Sequence, residues 1–235
     1  MKNILYNECM ELKQVANYIN GRFLITNMKT EKKSLLKGQL LASYSVDSLG
    51  KGKNEQVYYD TADFFFADKG INIYTMSEGK TRELIIRYDS EQVNRIEFLK
   101  NTPNFFKIQI DKNDSILAYS DQINEAIYKV FPSGLGINIE ENLRQCSPVI
   151  KIVKKRDSYR VVNNTGLKMI LNYETCTYFN TTNRRKFSQP VLDVFGESPK
   201  YKEDFDLFLK HIVRDHPQLI KLPDNELSLA RTNLQ

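Results

Sequence analysis

The sequence predicts an α+β fold in which an antiparallel sheet of about eight strands closes into a barrel, flanked by helices. Three observations carry this. Strand-like runs recur through most of the 235 residues. Few of them alternate with helices in the way βαβ units do. Helical periods are confined to inserts and to the two ends of the chain.

The elements follow in order. "NECMELKQVANYI" places apolar residues near a helical period, and "RFLIT" (Arg22 to Thr26) reads as a short strand. "KTEKKSLLKGQLL" reads as a charged helix capped by Thr30. "ASYSVDS" and "EQVYYD" read as two strands separated by the loop "LGKGKN". In "VYYDTADFFFADKGINIY", Val57 to Tyr74, a strand ends at Asp60-Thr61, where either residue can cap a helix. "ADFFFADK" gives two helical turns, and Gly70 suits the left-handed residue that ends them. "INIYTM" and "TRELIIRY" then flank the Gly-containing loop "SEGK", a β-hairpin pattern. "NRIEFLK" is a further strand, and "DSILAYSDQINEAIYKVF" is the clearest helix, stopping at Pro132.

From Pro148 to Val194 the chain reads as antiparallel strands, "PVIKIVKKR", "SYRVVN", "LKMILNYETCTYF" and "RRKFSQPVLDVF". Their turn signals are Arg-Asp, "NNTG" and "NTTN". "KYKEDFDLFLKHIVRD" puts Phe205, Phe208, Leu209 and Ile212 on one helical face, and a short helix follows Pro223. With no internal repeat or low-complexity tract, residues 1–235 are expected to form one domain. An N-terminal helix (1–19) and a C-terminal helical tail (200–235) are expected to pack on it.

Composition excludes several classes. No run of 18 or more apolar residues offers a membrane helix, and the first residues lack a secretory apolar core. A cytoplasmic protein is expected. Cys9, Cys146 and Cys176 are too dispersed for a metal or disulfide pattern, and His211 and His216 stand near the end with no cysteine beside them. Thirty-four Lys and Arg against 29 Asp and Glu leave a charge of +5, too modest to indicate nucleic acid.

The stretch Tyr58-Tyr59-Asp60-Thr61, "ADFFFADK", Gly70 and "INIYTM" resembles the signature of the CYTH domain of the triphosphate tunnel metalloenzyme superfamily. The resemblance implies an eight-stranded antiparallel tunnel barrel. Lys and Arg from several walls would hold a polyphosphate, and carboxylates would hold Mg²⁺ or Mn²⁺. The family places these residues at every second strand position, so that they share a face.

Carried over strand by strand, the family pattern is only partly met. E-x-E-x-K before the "FLI" run falls on Tyr18, Asn20 and Arg22, keeping one cation and no carboxylate. R-x-R falls on Tyr74 and Met76. Arg87 supplies a basic strand end, and R-x-E-x-E survives as Arg95 and Glu97 with Leu99 in the last place. K-x-R is Lys154 and Arg156; Asn172 stands where an Asp is common; the last acidic pair maps on Asp193 and Phe195. The resemblance thus implies phosphate ligands at Arg22, Arg87, Arg95, Lys154 and Arg156. The carboxylates left for a metal are Glu97 and Asp193.

Retained cations with lost carboxylates point to a protein that binds a phosphorylated or polyanionic ligand, with weak or absent phosphohydrolase activity. The alternative is a structural or protein-interaction barrel whose tunnel is filled by replacements such as Tyr18, Tyr74 and Met76. The aromatic run Phe64 to Phe66 reads as core, and "TTNRRKF" (Thr181 to Phe187) as a solvated basic loop.

Overall fold

The structure, a computed structural model, describes residues 13–14, 19–88, 105–131, 138–196, 198–222 and 226–234. Its strands are β1 (Lys13–Gln14), β2 (Ile19–Leu24), β3 (Ser45–Asp60), β4 (Ile71–Glu78), β5 (Thr81–Tyr88), β6 (Phe105–Gln109), β7 (Ser147–Val162), β8 (Lys168–Asn180), β9 (Lys186–Gly196) and β10 (Ile220–Lys221). Its helices are α1 (Met28–Lys37), α2 (Phe65–Asp68), α3 (Ser120–Val130), α4 (Ile139–Arg144), α5 (Lys202–Asp215) and α6 (Glu226–Leu234). The chain forms two compact units, one drawn from 1–16 and 59–147, the other from 17–58 and 148–235.

The first unit holds four strands in the order β1-β6-β5-β4, with every described ladder antiparallel. Its entry is set by Asp60, whose carboxylate accepts from the amides of Thr61 (2.8 Å), Phe66 (3.0 Å) and Ala67 (2.9 Å). Two orphan amides of the first turn of α2, Phe66 and Ala67, and one of the turn before it thereby find an acceptor. Gly70, at φ 74°, turns the chain from α2 into β4. The β4–β5 hairpin pairs Ile71 with Tyr88 through to Glu78 with Thr81. Ile73, Leu84, Ile86, Phe106 and Ile108 bury against Ile123, Ala126, Ile127 and Val130 of α3.

The second unit holds six strands in the order β3-β7-β8-β9-β2-β10. One sheet face is apolar. Phe23, Met169, Leu171, Tyr173, Leu192 and Val194 pack with Phe205, Phe208 and Ile212 of α5. Gly21 allows α5 to approach, since a Cβ there would fall 2.7 Å from Leu209 Cδ1. Burying one such Phe or Leu is worth about 1.5–3 kcal/mol, so this face supplies much of the unit's stability.

Several expectations are corrected. Among the described residues neither unit closes its sheet on itself, and in place of the expected eight-stranded barrel the described strands form ladders of four and six. β1 and β10 have two residues each, too short to show a period in sequence. The expected strand pairs at 45–60 and 147–162 are single 16-residue strands. Across Arg156-Asp157 the ladder to β8 runs on without a break, Arg156 facing Glu174 and Asp157 facing Tyr173. The cap of α1 is Asn27, whose side chain accepts from the Thr30 amide; Thr30 is inside the helix. Of the expected helix over 1–19, residues 13–14 and 19 are strand and the remainder lies outside the described residues. The expected strand "NRIEFLK" also lies outside them. Helix α4 was not foreseen; Asn138 caps it by accepting from the Glu141 amide. No helix among the described residues is long and apolar enough to cross a membrane.

Candidate functional site

The other face of the second unit's sheet is buried and charged. Strand register sets it out in rows. Arg22 of β2 faces Asp193 of β9, Asp193 faces Asn172 of β8, and Asn172 faces Ser158 of β7. The next row along runs Val191, Glu174, Arg156, and the one after it Gln189, Cys176, Lys154. Period-two alternation puts these residues, even-numbered on β2, β7 and β8 and odd-numbered on β9, on the face opposite the apolar cluster. Arg22, Lys154, Glu174 and Asp193 are 4%, 6%, 3% and 5% exposed, which no solvated face would give.

Burial on this scale requires partners, because an unpaired buried charge is far more costly than a paired one. The Arg22 guanidinium reaches Asp193 Oδ1 (3.5 Å) through Nε and donates through Nη2 to Tyr178 Oη (3.2 Å) and Cys176 Sγ (3.6 Å). Lys154 Nζ stands 3.8 Å from Glu174 Oε2 and 2.7 Å from Glu226 Oε2. The other Glu226 oxygen, Oε1, forms an ion pair with Arg22 Nη1. One carboxylate, carried by the first residue of α6, thus bridges the two buried cations.

Polar groups around them complete the face. Gln189 donates to Tyr178 Oη at 3.2 Å, and the Tyr178 ring stacks on Phe187 at 4.5 Å. Ser158 donates to Asn172 at 2.7 Å. Arg156 lies across Gly52, where a Cβ would fall 2.9 Å from its Nε. Two residues along β3, and so on the same strand face, Asn54 is buried with its Oδ1 lacking a hydrogen bond among the described residues.

The electrostatics follow from this packing. Burial alone would raise the Glu226 carboxyl, but Arg22 and Lys154 outweigh it and hold it down at about 2. Burial lowers the Lys154 ammonium, yet Glu226 and Glu174 more than reverse this and raise it. Asp193 goes the other way: burial dominates over Arg22 and pushes its carboxyl up to about 7. Burial also raises the Cys176 thiol, which therefore stays protonated and inert as a nucleophile.

The structure brings Arg22, Lys154, Arg156 and Asp193 to one sheet face. Arg87 lies in the first unit, on β5 opposite Asn72. Arg95 and Glu97 lie outside the described residues. Asp193 does not fit a metal ligand in this arrangement, since a dication at its carboxylate would stand against Arg22. Among the described residues no group of three or more His, Cys, Asp or Glu could hold a metal ion. Sequence reasoning missed Glu174 and Glu226. Glu174 was within reach, as the even positions of "LNYETCTYFN" alternate polar against apolar; Glu226 carried no signal.

No family model and no curated protein matches the sequence. Solved structures do. A candidate adenylate cyclase from Bacillus halodurans is 12% identical with a TM-score of 0.56, the match covering 90% of this chain and 96% of that one. A candidate adenylyl cyclase from Hippeastrum, described as having a dominant triphosphatase activity, is 10% identical with a TM-score of 0.50, covering 93% of this chain and 97% of that one. At these identities the likeness is one of fold.

Proposed function

We propose that this chain is a CYTH-like protein, a single domain over residues 1–235, that binds a phosphorylated or polyanionic ligand: a triphosphate, a polyphosphate or a nucleotide. It binds on the charged face of the second unit, with weak or absent phosphohydrolase activity. The carrying observation is that Arg22 and Lys154, on different strands and both buried, converge on a single anionic group. A planar guanidinium and a point ammonium, sharing one anion in a place of low dielectric, are the donors a phosphoryl group needs. Arg156 on the next row and the open acceptor of Asn54 extend the same face. The fold likeness to cyclase and triphosphatase structures, together with the CYTH-type signature around Asp60, supports the same ligand class.

Weak or absent turnover rests on the carboxylates. Tyr18, Asn20 and Phe195 stand where the family pattern carries acids. Of the two acids proposed as metal ligands, Asp193 is committed to Arg22. The described residues do not fit a resident Mg²⁺ or Mn²⁺.

The test is a titration with inorganic tripolyphosphate, followed by thermal shift and calorimetry at low and at 0.3 M salt. Saturable stabilisation that weakens with salt, and weakens further in Arg156→Ala, is the expected result. Parallel incubation with tripolyphosphate and ATP, with Mg²⁺ and with Mn²⁺, is expected to release phosphate slowly or not at all; rapid turnover would refute the weak-activity part. A second reading, a structural or interaction protein with no ligand, draws on one observation: Arg22 and Lys154 are already neutralised by Asp193, Glu174 and Glu226. It predicts no response to any polyphosphate.

A further inference from the structure

We infer that α6 is a displaceable gate whose Glu226 carboxylate occupies the phosphate position, so that an incoming polyanion and the chain's own helix compete for Arg22 and Lys154. This inference rests on the ligand reading above and adds its regulation.

The geometry points to competition between like groups. Glu226 presents one oxygen to each cation, as a phosphoryl group would. Both are oxyanions, so either can satisfy Arg22 and Lys154, and both cannot do so at once. If α6 left with nothing in its place, two buried cations would lose a shared partner, which is strongly unfavourable. Departure of the helix is therefore linked to arrival of an anion.

α6 also lies apart from the apolar cluster of this unit. Its buried residues are Glu226, Leu227, Ala230 and Leu234, a single stripe. None belongs to the apolar cluster that Phe205, Phe208 and Ile212 of α5 build on the opposite sheet face. The far end of α6 is tied at the β8–β9 hairpin, where Asn183 Nδ2 donates to the Leu234 carbonyl at 3.0 Å. A short helix whose buried side is one narrow stripe, led by an ion-paired carboxylate, is of the kind that opens locally without global unfolding.

The competition has a quantitative signature. If the site accepts anion only when α6 is away, the apparent Kd is the intrinsic one divided by the fraction undocked. Any change that undocks α6 without removing Arg22 or Lys154 should tighten binding. Glu226→Gln removes the competing charge, and Ala230→Glu places a charge in the buried stripe while leaving Glu226 intact.

The experiment uses the full-length protein and tripolyphosphate. Calorimetric Kd values are compared for the wild type, Glu226→Gln and Ala230→Glu, and amide hydrogen exchange of 226–234 is followed in the wild type with and without ligand. Expected are Kd values roughly 10-fold or more lower in both variants, following the undocked fraction, and loss of amide protection across α6 at saturation. Equal affinity in all three proteins, or undiminished protection of α6 in the saturated wild type, overturns the gate while leaving the ligand reading standing. Absence of binding by all three refutes the ligand reading, and the gate with it. The exchange measurement needs no variant, so a misfolded substitution does not shelter the inference.

Discussion

The two faces of the second unit's sheet are made by the same strands and behave as different materials. Along β8, Met169, Leu171 and Tyr173 turn one way into the apolar cluster, while Asn172, Glu174 and Cys176 turn the other way into the charged one. Both are buried. The apolar face needs volume filled, and tolerates exchange of one hydrocarbon shape for another. The charged face needs each group to keep its partner, because the loss of one orphans another. The buried charges Arg22, Lys154, Glu174 and Asp193 all stand on the second face.

The comparison can be tested from the largest effect down. Phe208→Ala removes a fully buried ring beneath the sheet and is expected to cost roughly 3–5 kcal/mol in urea unfolding, with the same loss at pH 5 and pH 8. A loss that changes with pH would show that the two faces are not separate. Arg22→Met keeps much of the volume but strips Asp193 and Glu226 of their shared cation; about 3 kcal/mol is expected at pH 8. That loss should shrink on acidification, as the orphaned carboxylates take up protons. An equal loss at every pH would mean that packing, not charge, is what Arg22 supplies.

The smallest effect is the wild type's own pH profile. Glu226, at about 2 instead of 4.5, stabilises the fold above pH 4.5 and loses that contribution as pH falls from 4.5 towards 2. Asp193, at about 7 instead of 3.8, is protonated when folded and ionised when unfolded between those values, so stability falls as pH rises from 3.8 to 7. Maximal melting temperature is therefore expected near pH 4–5, with a decline towards neutrality that Asp193→Asn flattens. A profile still rising at pH 7 in the wild type would contradict the assignment of Asp193.

Local features were legible in the sequence. The Gly70 turn, the β4–β5 hairpin and the apolar stripe of α5 each depend on residues within a few positions of one another, and each is where the sequence placed it; α2 is one turn, Phe65–Asp68, where two were expected, and Asp60 and Thr61 both accept from its first amides. Arg22, Lys154, Arg156 and Asp193 were legible through the family pattern and do share a face. What failed was non-local. Whether 147–162 is one strand or two is decided by the unbroken length of β8 beside it. That Glu226 would answer Arg22 depends on α6 lying against β8 and β9, which no period within the helix encodes.

Asp60 has a consequence for recognition at a distance. Its carboxylate is spent on three backbone amides, one in the turn before α2 and two in its first turn, in the first unit. The charged face carrying Arg22 and Lys154 belongs to the second. The most recognisable stretch of this chain is therefore a folding instruction, and it can be kept intact while every residue of the charged face changes. A search keyed to that stretch gathers chains that turn a corner in the same way. Sorting those that handle polyanions from those that do not requires reading the even positions of β7 and β8 and the odd positions of β9, and then asking what the last helix sets against them.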